Sequence, residues 1–140
     1  MSYHRMFGLA AAALLLGAAA ATAREEQKSA AGAAPLVHCV IFRMKKDAPA
    51  DATDQVIADC HKMLAKIASV RAVKAGRPAK TGTDEKLKKP FDVGLLVLCD
   101  DAAGLRAYID DPLHKEFVAK YGKYFDMEQL QVFDFEDKQK

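Results

Sequence analysis

The sequence contains no tryptophan and no asparagine. Without asparagine there is no Asn-x-Ser/Thr acceptor, so N-glycosylation is excluded. A strong charge of either sign is also lacking. Lys and Arg number 21, Asp and Glu 19, and the formal net charge is only +2. That balance makes no electrostatic case for nucleic acid or for an acidic membrane surface as partner. Histidines are few, and those past the N-terminal segment (His38, His61 and His114) lack the short spacing of a zinc site, so no metal is expected. With 140 residues, the chain has room for one domain and not comfortably for two.

Only one long apolar run is present, and it stands at the N-terminus. MSYHR carries one arginine and no acid, and the uncharged stretch FGLAAAALLLGAAAA follows it. Ala21-Thr22-Ala23 then supplies the small residues that signal peptidase accepts. This order of basic, apolar and small residues is that of a secretory signal over 1–23, with cleavage after Ala23 and an exported, periplasmic or secreted product. The run is short for a bilayer span, which needs about 20 apolar residues. An uncleaved anchor is the alternative. No second apolar span follows, so no membrane association is expected once the signal is removed. Residues 24–35, REEQKSAAGAAP, are small, polar and aperiodic and read as a disordered linker.

The remainder reads by period. LVHCVIFRM (36–44) is β-branched and apolar and too short for a globular helix, so it is a strand. Asp51 or Thr53 then caps a helix whose Val56, Ile57, Cys60, Leu64 and Ile67 form one apolar stripe. His61 lies off that stripe. VRAVKAGRPA (70–79) is a weaker strand, and TGTDEKLKKP is a polar, lysine-rich connection. FDVGLLVLCD (91–100) is the most apolar strand. Asp100 or Asp101 caps a helix bearing Leu105, Tyr108 and Ile109, and Asp111-Pro112 breaks it. A further helix carries Phe117, Val118, Tyr121 and Phe125, LQVFDFE (130–136) is the last strand, and residues 137–140 are a frayed tail. The order β-α-β-β-α-β predicts an α+β, ferredoxin-like subunit over 36–136, with a four-stranded antiparallel sheet and helices on one face.

Both faces of that sheet are apolar. Val37, Cys39 and Ile41 oppose His38, Val40 and Phe42, and Val93, Leu95 and Val97 oppose Gly94, Leu96 and Leu98. Helices cover one face only. The same face of a second copy is the simplest cover for the other, which predicts a homodimer.

Two local features remain. Asp111 suits an N-cap and Pro112 the first helical position, which places His114 in the first turn of the new helix. There the helix dipole disfavours the imidazolium, and Asp110 and Asp111 push the other way. A neutral imidazole beside the Tyr108 phenol makes a general base next to a hydrogen-bond donor. Equally, Pro-x-His reads as plain helix punctuation and Tyr108 as a half-buried core residue. The three cysteines, Cys39, Cys60 and Cys99, are an odd number for an exported chain. Cys39 and Cys99 sit on neighbouring strands and by parity on one face. A disulfide between them, buried free thiols and a link between subunits all stay open.

HCVIFRMK, FDVGLLVLCDD, AYIDDPLHKEF and LQVFDFE, in that order and spacing, resemble the Dabb family, the stress-responsive A/B barrel domain. The resemblance spans about residues 36–136. It implies a ferredoxin-like subunit whose sheets pair across a dimer into an α+β barrel. Most such proteins have no assigned reaction, and some plant members are metal-free polyketide cyclases with a Tyr and His pair. The matching positions are Tyr108 and His114, with His38 on the first strand. The implied pocket is lined by His38, Val40 and Phe42 together with Gly94 and Leu96. Gly94 stands where many members carry histidine.

Four functions are weighed: a binding module holding a small apolar ligand, a cofactor-free lyase or cyclase, a monooxygenase of the wider barrel superfamily, and a structural role in envelope stress. The monooxygenases lean on Asn or Trp, and the chain has neither. The binding module is the reading adopted.

Overall fold

A computed structural model describes residues 36–80, 82, 84–86 and 88–137. The signal expected over 1–23, the linker over 24–35 and residues 138–140 of the expected tail lie outside the described residues. The elements are β1 (Leu36–Phe42), α1 (Ala52–Lys62), β2 (Val70–Gly76), β3 (Val93–Cys99), α2 (Ala102–Asp110), α3 (Pro112–Tyr121) and β4 (Gln131–Glu136). Single 3-10 turns follow α1 at Leu64–Lys66 and α3 at Gly122–Tyr124.

The strands make one sheet in the order β2-β3-β1-β4. All three pairings are antiparallel. This is the ferredoxin-like arrangement expected from the element order. Its two most apolar strands, β1 and β3, are neighbours at the centre, where neither offers a free edge to solvent.

Helix boundaries follow their caps. The Asp101 carboxylate accepts the Gly104 amide at 2.8 Å and starts α2. Asp51 occupies the N-cap position of α1, but its carboxylate takes the Gln55 side chain instead of a backbone amide. The stripe read as one helix is divided: α1 ends at Lys62, and Leu64 and Ile67 belong to the 3-10 turn and its cap. Both remain buried with Val56 and Cys60, so the packing face survives the change of helix type.

One cluster joins Leu36, Val40 and Phe42 of β1 and Val93, Leu95, Val97 and Cys99 of β3 to buried side chains of all three helices. The helices therefore share one face of the sheet. Burying each of these large apolar side chains contributes about 1.5–3 kcal/mol. A polar tie adds to the packing: the Tyr121 hydroxyl of α3 donates to Asp59 of α1 at 2.8 Å, and Lys120 reaches the same carboxylate. Lys120 and the Tyr121 hydroxyl accordingly hold the Asp59 carboxyl below its usual range.

The opposite face carries Val37, Cys39 and Ile41, the partly exposed Gly94, Leu96 and Leu98, and the outward set of β4. Within β4, Phe133 and Phe135 pair with Cys39 and Val37, and they are 51% and 53% exposed. Two half-exposed phenylalanines on an edge strand make an open apolar surface.

Candidate functional site

The α2–α3 junction builds the site. A helix end leaves carbonyls without amide partners, and a helix start leaves amides without acceptors. At Asp111-Pro112 both ends meet. Pro112 has no amide hydrogen, so the first helical position loses nothing. The Asp111 carboxylate accepts the Leu113 amide at 2.8 Å. In an unbroken helix that amide would bond to the Ile109 carbonyl, four residues back. The orphaned Ile109 carbonyl is taken by the His114 ring instead, with Nδ1 at 3.0 Å.

This contact fixes a tautomer. A carbonyl only accepts, so His114 Nδ1 carries the proton, and in the neutral ring Nε2 carries the lone pair. Burial pushes the His114 pKa down, opposed by the Ile109 hydrogen bond and assisted by the nearby His38. The ring is therefore neutral near pH 7.

A second imidazole is oriented in a similar way. His38 of β1 stands opposite Asp134 of β4 in the strand register. Its Nδ1 lies 2.6 Å from Asp134 Oδ1. The carboxylate accepts, so Nδ1–H donates and fixes the orientation of the ring. His38 is 8% exposed, whereas the Asp134 side chain is 47% exposed.

Tyr108 lies between the two rings. Its ring centroid is 4.6 Å from that of His114 and 5.7 Å from that of His38. It is 1% exposed, and its hydroxyl has no hydrogen-bond partner among the described residues. Burial raises its pKa, so the phenol stays protonated.

The three rings border a cavity of about 500 Å³ between sheet and helices. Val40, Phe42 and Leu95 form its floor, Ile109, Phe117 and Phe125 its walls, and Val118, Met127 and Val132 are exposed lining residues. The volume falls within the range of small-molecule sites, and an apolar lining with a few convergent polar groups is their usual character.

Five of the expected residues, His38, Val40, Phe42, Tyr108 and His114, border this one cavity. Gly94 and Leu96 do not. They pair with Ile41 and Cys39 and lie on the other face, along a shallower depression. Leu95, paired with Val40, holds the place expected for them. It follows that Gly94 does not shape the cavity. The cysteines are corrected by the same register. Cys39 pairs with Leu96 on the outer face, while Cys99 pairs with Leu36 on the helix side. Both are free thiols, on opposite sides of the sheet. Cys60 is free and fully buried, with its thiol pushed up to about 12 by burial.

Asp134 was not among the expected site residues. Alternation in LQVFDFE puts it on one face with Val132, but only the β1–β4 register sets it beside His38. The walls from α3 and from the loop before β4 were also missed, because those side chains read equally well as ordinary core.

No curated protein is significantly similar to this sequence. Several solved structures share its fold. A dimeric ferredoxin-like protein of unknown function from Thermobifida fusca superposes with a TM-score of 0.59 at 24% identity, over 72% of this chain and 89% of that one. A hydroxynitrile lyase from Passiflora edulis gives a TM-score of 0.60 at 16% identity, over 76% of this chain and 97% of its own. A cofactor-independent oxygenase from Streptomyces nogalater gives 0.56 at 14% identity, covering 77% of this chain and 97% of that chain. At these identities the likeness is one of fold, and fold alone does not carry activity. The sequence itself goes further: residues 36–137 match the model of the stress responsive A/B barrel domain, Dabb, and the chain belongs to that family.

Proposed function

We propose that this domain is an exported homodimer that holds a small, largely apolar molecule in the cavity between sheet and helices. One observation carries the ligand reading. The cavity of about 500 Å³ has apolar walls, and its polar groups (His38, Tyr108 and His114) converge on one part of it. An apolar hollow of this volume with a few convergent polar groups is the usual form of a small-molecule site.

The dimer is supported by the outer sheet face, where Phe133 and Phe135 are half-exposed beside Val37, Cys39 and Ile41. The Thermobifida fusca protein of the same fold is described as dimeric. Export is supported by the sequence pattern alone: one basic residue, the apolar run, then Ala21-Thr22-Ala23.

A second reading, metal-free acid–base catalysis of lyase or cyclase type, is favoured by the His114 tautomer. Its Nε2 is free to take a proton from a substrate O–H or C–H. The protonated Tyr108 hydroxyl then donates to the oxygen on which charge develops. The lyase from Passiflora edulis has the same fold, which leaves the chemistry here to be tested.

The test is native mass spectrometry of the chain purified from an exporting host. A dimer of chains beginning at Arg24 and carrying an additional small mass is the expected result. A bare monomer would overturn both assembly and ligand. Tyr108→Phe and His114→Gln separate the two readings: under binding alone both variants retain the ligand, and under catalysis turnover disappears while binding persists.

A further inference from the structure

We infer that the cavity selects uncharged apolar molecules bearing a hydroxyl group over anionic, cationic or ether analogues of the same shape. This rests on the cavity being the ligand site, and it follows from what the polar groups still have to offer.

Each imidazole has already spent its Nδ1–H. His114 gives it to the Ile109 carbonyl and His38 to the Asp134 carboxylate. What the neutral His114 ring retains is an Nε2 lone pair, which is an acceptor. The Tyr108 hydroxyl is 1% exposed as a residue and without a partner among the described residues, so it retains its donor. A hydroxyl group on the ligand answers both demands. It donates to His114 Nε2 and accepts from the Tyr108 phenol. A carbonyl or an ether accepts only and leaves the His114 Nε2 lone pair unanswered. An ammonium donates only and leaves the phenol hydrogen unanswered. Unanswered buried polar groups cost about 1–3 kcal/mol each, roughly a factor of 5–150 in affinity.

Charge removes the other candidates. Among the described residues that line the cavity there is no Lys and no Arg. A carboxylate or phosphate would enter an apolar space with no cation to meet it and with the Asp134 carboxylate behind His38. Protonating His114 to supply that cation is opposed by burial. A cationic ligand would find the Asp134 carboxylate already engaged by His38 and the Asp111 carboxylate by the Leu113 amide.

The experiment is titration calorimetry at pH 7.5 on the full protein with four probes of one shape: 4-propylphenol, 4-propylanisole, 4-propylbenzoate and 4-propylbenzylamine. The phenol is expected to bind at least roughly tenfold tighter than the anisole, and the benzoate and the amine more weakly still. In His114→Phe the advantage of phenol over anisole should shrink towards unity while anisole binding persists. Tyr108→Phe should weaken phenol and anisole alike and leave their ratio near that of the parent, and His114→Leu serves if His114→Phe does not fold. Binding of anisole, benzoate or amine as tight as that of phenol would overturn this inference and leave the cavity as a ligand site. Silence from all four probes would overturn the ligand reading itself, and this inference with it.

Discussion

Tyr108 and His114 bring polar groups to the lining of an otherwise apolar cavity. The Tyr108 hydroxyl has no hydrogen-bond partner among the described residues, and the residue borders the cavity. Tyr108→Phe removes no hydrogen bond within the protein and leaves the ring packed against two imidazoles. Its thermal midpoint should be equal to or above that of the parent, while ligand affinity or turnover falls; a lower midpoint would show the hydroxyl to be structural. His114 makes a second prediction, through pH. Its folded pKa lies below the unfolded value of about 6.5, the first cause being burial. Between those two values the unfolded chain binds more protons, so stability rises with pH there. Stability should therefore fall as pH drops from about 6.5 towards the folded pKa. The groups that act on the ring besides burial are the Ile109 carbonyl, His38, Asp111 and Lys115. Denaturant midpoints measured from pH 7.5 down to 5 for the parent and for His114→Gln isolate this contribution. Parallel curves would remove it.

Among the elements, the α2–α3 junction concentrates the most in the least sequence. Asp111 accepts the Leu113 amide, Pro112 has no amide to waste, and His114 satisfies Ile109. Asp111→Ala should cost about 1 kcal/mol from the lost cap. That corresponds to roughly 4–8 °C in a domain of this size. It should also weaken binding at the cavity, because freeing the Leu113 amide lets it compete with His114 for the Ile109 carbonyl. Asp111→Asn, which also caps, should restore the midpoint in a thermal melt. Failure of the asparagine variant would mean that the charge of Asp111 matters more than its hydrogen bond. The junction was legible in the residues: Asp-Pro followed by His predicted a break, a cap and a neutral imidazole. What was not legible was the acceptor. The Ile109 carbonyl becomes the partner of His114 only when the two helix axes have taken up their angle.

At the level of the whole molecule the deciding feature is the uncovered sheet face. Phe133 and Phe135 project from β4, whose six residues are all exposed. Covering their remaining surface in a dimer contributes about 1 kcal/mol per phenylalanine, four of them per dimer. The double variant Phe133→Asp with Phe135→Asp should raise the dimer dissociation constant at least roughly hundredfold. Sedimentation at micromolar concentration, with circular dichroism to verify the fold, decides it. A monomeric parent protein would remove the dimer at once.

The order of elements was written in local patterns. Runs of β-branched residues, one stripe at helical spacing and the capping aspartates Asp101 and Asp111 are enough for β-α-β-β-α-β, because each depends on neighbours a few residues away. The grouping of His38, Val40, Phe42, Tyr108 and His114 came from the family resemblance, which rests on motifs of the same local kind. Which alternate set of β3 faces the helices did not. Alternation divides a strand into two sets without naming their sides, and the register Val40↔Leu95 put Leu95 in the cavity and Gly94 and Leu96 outside it. The same register separated Cys39 from Cys99, and the β1–β4 register brought Asp134 to His38. Register comes from pairing over 50 or more residues of chain, and a slip of one residue reverses every face. The residue types and their local geometry were therefore set by the sequence itself, and the company each side chain keeps was decided only when the strands paired.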